Sequence, residues 1–184
     1  MKIEIDALCK FTAKADAVME NQSYYCSMAE KEIARGVKKA YAAVVGQDDY
    51  VVLVTYDDHF EKNALERGFV FADDAVQVII QYLENNYTLA DMILEAEDVG
   101  YEKNKSHGTV AIHFQKEDWF LYLCVKDGFI HISTLVSAWV YYVNPDSDLV
   151  VTVDPDGKTL YRGFEGNRRF VISRGSKYKG GNGH

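Results

Sequence analysis

Three short stretches combine residue types and spacings that could do chemistry. The first is Asp57-Asp58-His59, directly after the apolar run Tyr50 to Tyr56. Two carboxylates and an imidazole can hold a divalent cation or supply a general base. Ligand sites also favour the ends of strands in α/β sheets. Consecutive residues point in different directions, though, and no second cluster supplies completing ligands. A solvated loop is the better reading of this run.

The second is Cys124 with His131, placed either side of Asp127-Gly128. Asp-Gly is a strong hairpin signal, because both central residues of a type I′ turn need positive φ. That turn sets Cys124 opposite His131, a thiol–imidazole pair of the kind that makes a nucleophile. His113 cannot join them. Pairing Phe114 with Trp119 puts His113 beside Phe120, four residues along the strand from Cys124. At about 3.4 Å per residue that is roughly 13 Å, whereas zinc needs donors at ~2.0–2.3 Å. A cysteine packed beside a polar-face histidine is the simpler account.

The third is Asp154-Pro155-Asp156-Gly157-Lys158-Thr159. Gly-Lys-Thr belongs to phosphate loops, but the glycine needed five residues earlier is Thr152. A calcium loop fails on its intervening ligands. Proline presetting φ and glycine supplying a left-handed residue make this a turn. Gly-x-Ser-x-Gly, His-Glu-x-x-His and Gly-x-Gly-x-x-Gly are absent. The three cysteines, Cys9, Cys26 and Cys124, are widely spaced and include no Cys-x-x-Cys pair. That argues against a disulfide framework and a zinc knuckle. The expectation is therefore a non-enzymatic protein with no catalytic residues, metal or cofactor.

Charge is the more informative property. The net of −8 over 184 residues is unevenly distributed. Residues 48–102 hold fourteen acidic and two basic side chains, and residues 158–184 hold seven basic and one acidic. Such asymmetry points to a charged partner. Asp57, Asp58, Asp73, Asp74, Asp91, Glu95, Glu97 and Asp98 form the acidic candidate surface. Asp73 and Asp74 suit a helix N-terminus, where they complement the dipole. Glu95 and Asp98, near a helix end, gain nothing from it, so capping alone does not explain the excess. Regularly placed carboxylates can imitate the phosphates that a basic groove expects. Arg162, Arg168, Arg169, Arg174 and Lys177 form the basic candidate set. Interleaved with Tyr161, Phe164, Phe170 and Tyr178, they suit weak contact with a phosphate backbone and stacked bases. Tyr24-Tyr25 and Tyr141-Tyr142 each place one tyrosine outward, as interface hot spots often do.

The elements that must carry these groups follow from periodicity. Leu8 to Met19 and Cys26 to Val44 have helical spacing, with Asp6 and Ser23 as N-caps and Gly46 closing the second stretch. Tyr50 to Tyr56 reads as a buried strand. Phe60 to Arg67 reads as a short helix ended by Gly68, and Val76, Ile79, Ile80 and Leu83 as the inner face of the next. Thr88 with Asp91 resembles a capping box for a helix reaching Asp98, with Gly100 beyond its end. From Val110 the period becomes two. Strands are expected at Val110–Phe114, Trp119–Val125, Phe129–Ile132, Trp139–Val143, Leu149–Asp154, Thr159–Phe164 and Arg169–Ser173. The fold class is α+β, with N-terminal helices packed on a C-terminal antiparallel β-meander. Residues 1–174 are expected to form a single domain and 175–184 a flexible basic tail.

No basic-then-apolar leader opens the sequence, and no apolar run approaches the ~20 residues of a membrane helix. A cytoplasmic location without membrane contact is expected. The composite points to a small acidic inhibitor of a nucleic-acid-processing enzyme, of the anti-CRISPR or anti-restriction kind that phage carry. Its partner would be a nuclease or a nuclease–nucleic-acid complex. The alternatives are an immunity or antitoxin protein for a cognate toxin, and a small enzyme built on Asp57, His59 or the Cys124–His131 pair.

Overall fold

The structure is a computed structural model and describes residues 22–102, 105–136 and 149–163. It is α+β, with helices and a mixture of parallel and antiparallel strands. The described residues divide into two compact units, those within Met1–Asp91 with Asp127–Ser133 and those within Met92–Lys126 with Thr134–His184. Among the described residues no helix is long and apolar enough to cross a membrane.

In the first unit, helix α1 (Gln22–Ala34) leads into the hairpin β1 (Lys39–Val45) and β2 (Tyr50–Tyr56). This corrects the expected helix through Val44. The helix-ending glycine is Gly36, at φ +108°, ten residues before Gly46. Alanine-rich Lys39-Ala40-Tyr41-Ala42-Ala43-Val44-Val45 carries no alternation, because its residues from Ala40 on are buried on both faces of the strand. Its apolar residues fit a helical template equally well, and tertiary burial overrides alanine's helix propensity.

β1 and β2 pair antiparallel from Lys39 with Tyr56 to Val45 with Tyr50. Strand β5 (Phe129–Val136) then lies parallel to β2, with Leu53 beside Phe129 and Thr55 beside His131. A meander cannot contain a parallel pair, so that part of the expectation is corrected here too. Alternation gives the three strands two faces. Ala40, Ala42, Val44 and Leu53 pack against Tyr25, Cys26, Ala29 and Ile33 of α1. The opposite face carries Tyr41 and Tyr56 toward helices α2 (Asp58–Glu66) and α3 (Ala72–Asn85). Phe60 of α2 meets Tyr56 edge-on at 5.4 Å. Val76, Ile79, Ile80 and Leu83 of α3 are fully buried, as their spacing predicts. Each such side chain contributes about 1.5–3 kcal/mol.

Helix α4 (Tyr87–Glu102) begins in the first unit and continues into the second. Its N-terminal amides are met by Asn86, whose Oδ1 accepts from Leu89 N at 3.0 Å. Asparagine thus replaces the capping box expected of Thr88 and Asp91. The helix also runs through Gly100 rather than ending before it. A methyl group at Gly100 would fall 2.0 Å from the His107 carbonyl oxygen, and one at Gly108 would fall 2.4 Å from the Ala96 carbonyl carbon. Both glycines are there because backbone approaches backbone.

The second unit's strands are β3 (Gly108–Phe114), β4 (Trp119–Lys126), β6 (Leu149–Val153) and β7 (Thr159–Gly163), ordered β4-β3-β6-β7. Phe114 pairs with Trp119 and His113 with Phe120, as the sequence predicts. β3 runs parallel to β6, the second departure from a meander. Pro155-Asp156-Gly157 turns β6 into antiparallel β7. Asp154 Oδ1 holds that turn by accepting from Asp156 N at 3.0 Å and Lys158 N at 2.8 Å. At the other proposed turn, Asp127 and Gly128 have φ of +50° and +84°, the pair of positive values that Asp-Gly predicts. The strands expected at Trp139–Val143 and Arg169–Ser173 lie outside the described residues.

Candidate functional site

Asp57-Asp58-His59 separates into three environments. Thr55 lies near the end of β2 and Asp57 just beyond it, and the parallel register brings His131 beside Thr55. His131 Nδ1 lies 2.9 Å from Thr55 Oγ1, and its Nε2 lies 3.4 Å from Asp57 Oδ2. Asp57 Oδ1 meanwhile accepts from His59 N at 3.1 Å and Phe60 N at 3.5 Å, which makes Asp57 the N-cap of α2. Asp58 is turned outward, 3.6 Å from Lys38 Nζ, and His59 is exposed.

A hydroxyl, an imidazole and a carboxylate in this order have the connectivity of a nucleophile triad. Thr55 is only 1 % exposed, however, so its oxygen has no room for a substrate. The chemical consequence is a clamp. One imidazole joins the end of β2, the start of α2 and β5 through both ring nitrogens. Cys124, the partner expected for His131, is half-buried on β4 opposite Thr109. Among the described residues, no three His, Cys, Asp or Glu side chains are grouped to hold a metal ion. His113 stacks on Phe120 at 4.0 Å, and its Nε2 lies 3.0 Å from Asp118 Oδ1.

The most concentrated polar constellation centres on Asp73 and was only partly legible in the sequence. Asp73 sits in the first turn of α3, where its charge complements the helix dipole. Its Oδ1 accepts from the hydroxyl of Tyr41 and, at 3.5 Å, from that of Tyr56. Lys39 Nζ reaches its Oδ2 at 2.9 Å. The two tyrosine rings lie nearly parallel, 6.4 Å apart. Burial raises both hydroxyl pKa values well above the ordinary tyrosine range, and the carboxylate beside them raises them further. Lys39, Tyr41 and Tyr56 share a sheet face only if 39–45 is a strand, which the sequence reading missed.

The candidate Asp91 and one carboxylate outside the candidate set, Glu84, also hold the first unit together. Asp91 accepts from Gln47 N at 3.2 Å, beside Gly46, where any side chain would collide with that carboxylate. Glu84 Oε2 accepts from Val44 N at 3.1 Å and so caps one outward-facing amide of β1. In the second unit Glu97 accepts from the Tyr101 hydroxyl at 2.7 Å, Glu95 is half-buried and Asp98 is exposed. Asp58, Asp74 and Asp98 thus stand outward, joined by exposed Asp48 and Glu66, while Asp57, Asp73 and Asp91 are committed to internal bonds.

No protein-family model, curated protein or solved structure matches this chain.

Arg162 falls on β7, in register with Val150, and its side chain lies outside the described residues. Arg168, Arg169, Arg174 and Lys177 also lie outside them. Of the tyrosine pairs, Tyr24 is 61 % exposed and meets half-buried Tyr25 edge-on, while Tyr141-Tyr142 lies outside the described residues. The sequence reading also missed Leu65, Val70 and Phe71, large apolar side chains exposed at 50, 75 and 65 % around the α2–α3 turn. An exposed Phe71 directly before Ala72-Asp73-Asp74 was the available signal.

Proposed function

We propose that this protein is a non-enzymatic binding protein that docks on a basic partner, acting as an inhibitor of a nucleic-acid-processing enzyme. The observation that carries this reading is the outward stance of Asp48, Asp58, Glu66 and Asp74 in the first unit. Only Lys62 and Arg67 supply positive charge anywhere in 48–102. Grooves built for nucleic acid present the complementary charge, and such charge steers encounter more than it adds affinity. The non-enzymatic part draws support from the buried hydroxyl of Thr55, which His131 Nδ1 meets at 2.9 Å.

The test is inhibition of purified nucleases, a restriction endonuclease and an RNA-guided nuclease among them, over a range of salt. The reading expects inhibition that weakens steeply as salt rises, and loss of inhibition in the triple variant D58N/E66Q/D74N. Inhibition by that variant equal to the parent's would refute the acidic surface. Hydrolysis of a substrate by the protein itself, abolished by Asp57→Asn, would refute the non-enzymatic reading.

A further inference from the structure

Helix α2 ends in a fixed geometry. Gly68 takes φ +92°, its amide donates to Leu65 O at 3.1 Å, and the Phe69 amide donates to Ala64 O at 3.2 Å. These are the two bonds of a Schellman motif, which reverses the chain with a left-handed glycine at C′. The reversal leaves Phe69 partly buried and Val70 and Phe71 exposed, so that three apolar side chains at least half-exposed, Leu65, Val70 and Phe71, lie on the two sides of one turn within seven residues. Singly exposed apolar residues are ordinary, whereas a group of them marks an interaction site.

Phe71 breaks a local rule. It is the N-cap of α3, in extended conformation, and makes no side-chain capping bond. Serine, threonine, aspartate or asparagine at that position would stabilise the helix. A phenylalanine there neither caps nor packs, since 65 % of it is in solvent. Departures from local consistency without an internal gain concentrate at functional positions. The Asp73 bonds to Tyr41, Tyr56 and Lys39 fix the first turn of α3, only two residues further on. A pre-ordered apolar anchor binds with little loss of conformational freedom.

Charge selects the occupant. Residues 57–74 contain six acidic and two basic side chains, and Glu66, between Leu65 and Val70, and Asp74, three residues after Phe71, are both exposed. We infer that Leu65, Val70 and Phe71 are the anchor of the binding surface, seating in an apolar pocket of a partner protein whose rim carries lysine and arginine. This rests on the reading of the protein as an acidic binding protein, and it names where that binding is centred. Aromatic and aliphatic anchors inside a charged rim carry most of the energy of protein interfaces.

The full chain, labelled with ¹⁵N, is titrated with four probes. These are a synthetic amphipathic peptide bearing leucine and tryptophan on one face and lysine and arginine on the other, the same peptide with glutamate for its basic residues, a lysine-rich peptide without apolar residues, and neutral phosphatidylcholine vesicles. Shifts centred on 64–75 with the basic amphipathic peptide alone are expected. Phe71→Ser and Val70→Asp should each weaken that binding at least about tenfold. Phe71→Ser adds a good N-cap, so its urea midpoint should be at or above the parent's, which separates lost binding from lost folding. Basic-peptide shifts that avoid 64–75 and survive Phe71→Ser would leave the acidic reading standing and overturn the anchor. No binding of either basic peptide would overturn both. Equal binding of the acidic peptide or the vesicles, or sedimentation as a dimer that Phe71→Ser dissolves, would overturn the assigned partner.

Discussion

Asp73 accepts the hydroxyl hydrogen of Tyr41, and through that contact the first turn of α3 is fastened to the middle of β1. The carboxylate is shared with Tyr56 and Lys39, so its removal takes a charged acceptor from two tyrosine hydroxyls at once. Asp73→Ala should therefore destabilise the chain by about 1.5–3 kcal/mol, the contribution of hydrogen bonds to a charged group. Urea denaturation of the two proteins checks this. Asp74→Ala, on the exposed neighbour, should change the unfolding free energy by no more than about 0.5 kcal/mol.

The same network predicts a pH dependence. Both tyrosine hydroxyls have folded-state pKa values raised above their ordinary 10.0, chiefly by burial. Below that ordinary value both states are protonated and the contribution is complete. As pH rises beyond it, the unfolded chain releases protons that the folded chain retains, so stability falls. The slope should approach roughly 1.4 kcal/mol per pH unit for each tyrosine. Tyr56→Phe should reduce it by one proton's worth, measured as urea midpoints from neutral pH to above pH 10. A flat profile across that window would contradict the assignment.

Glycines divide into two groups with different costs. Gly100 and Gly108 face backbone at distances that no Cβ tolerates, so alanine at either should cost about 1–3 kcal/mol or more through forced displacement. Gly68 and Gly128 have open space and only a positive φ to lose. Alanine there should cost about 1 kcal/mol. Thermal melts of the four variants test the ranking.

The clamp at His131 should behave as structure. Thr55→Val and His131→Asn each remove a bond within it and should lower stability by about 1–2 kcal/mol. Asp57→Ala loses the helix cap as well, and should cost more than either alone. If Asp57→Ala leaves the melting temperature unchanged while Thr55→Val lowers it, the clamp is wrongly drawn.

What the sequence made legible was whatever local physics decides alone. Asp127-Gly128 fixes its turn through φ, Gly68 its helix end, and Val76, Ile79, Ile80 and Leu83 their inward face through spacing. What it hid was set by neighbours distant in the chain. Ala40 to Val45 is a strand because α1 covers one face and α3 the other, so its burial is continuous and its period is lost. A helix over 39–45 does not bring Tyr41 and Lys39 beside Asp73, so from sequence alone Asp73 reads as surface charge and not as the centre of an internal network. The parallel pairs β2–β5 and β3–β6 depend on crossovers that no periodicity records.

The central claim is that exposed carboxylates of the first unit, together with an exposed apolar anchor, draw a basic partner. The direct measurement is the affinity for the basic amphipathic peptide across a series of salt concentrations, for the parent and for D58N/E66Q/D74N. The parent should lose affinity steeply as salt rises, and the variant should bind weakly with a nearly flat dependence. Equal affinities and equal salt slopes for the two proteins would contradict it.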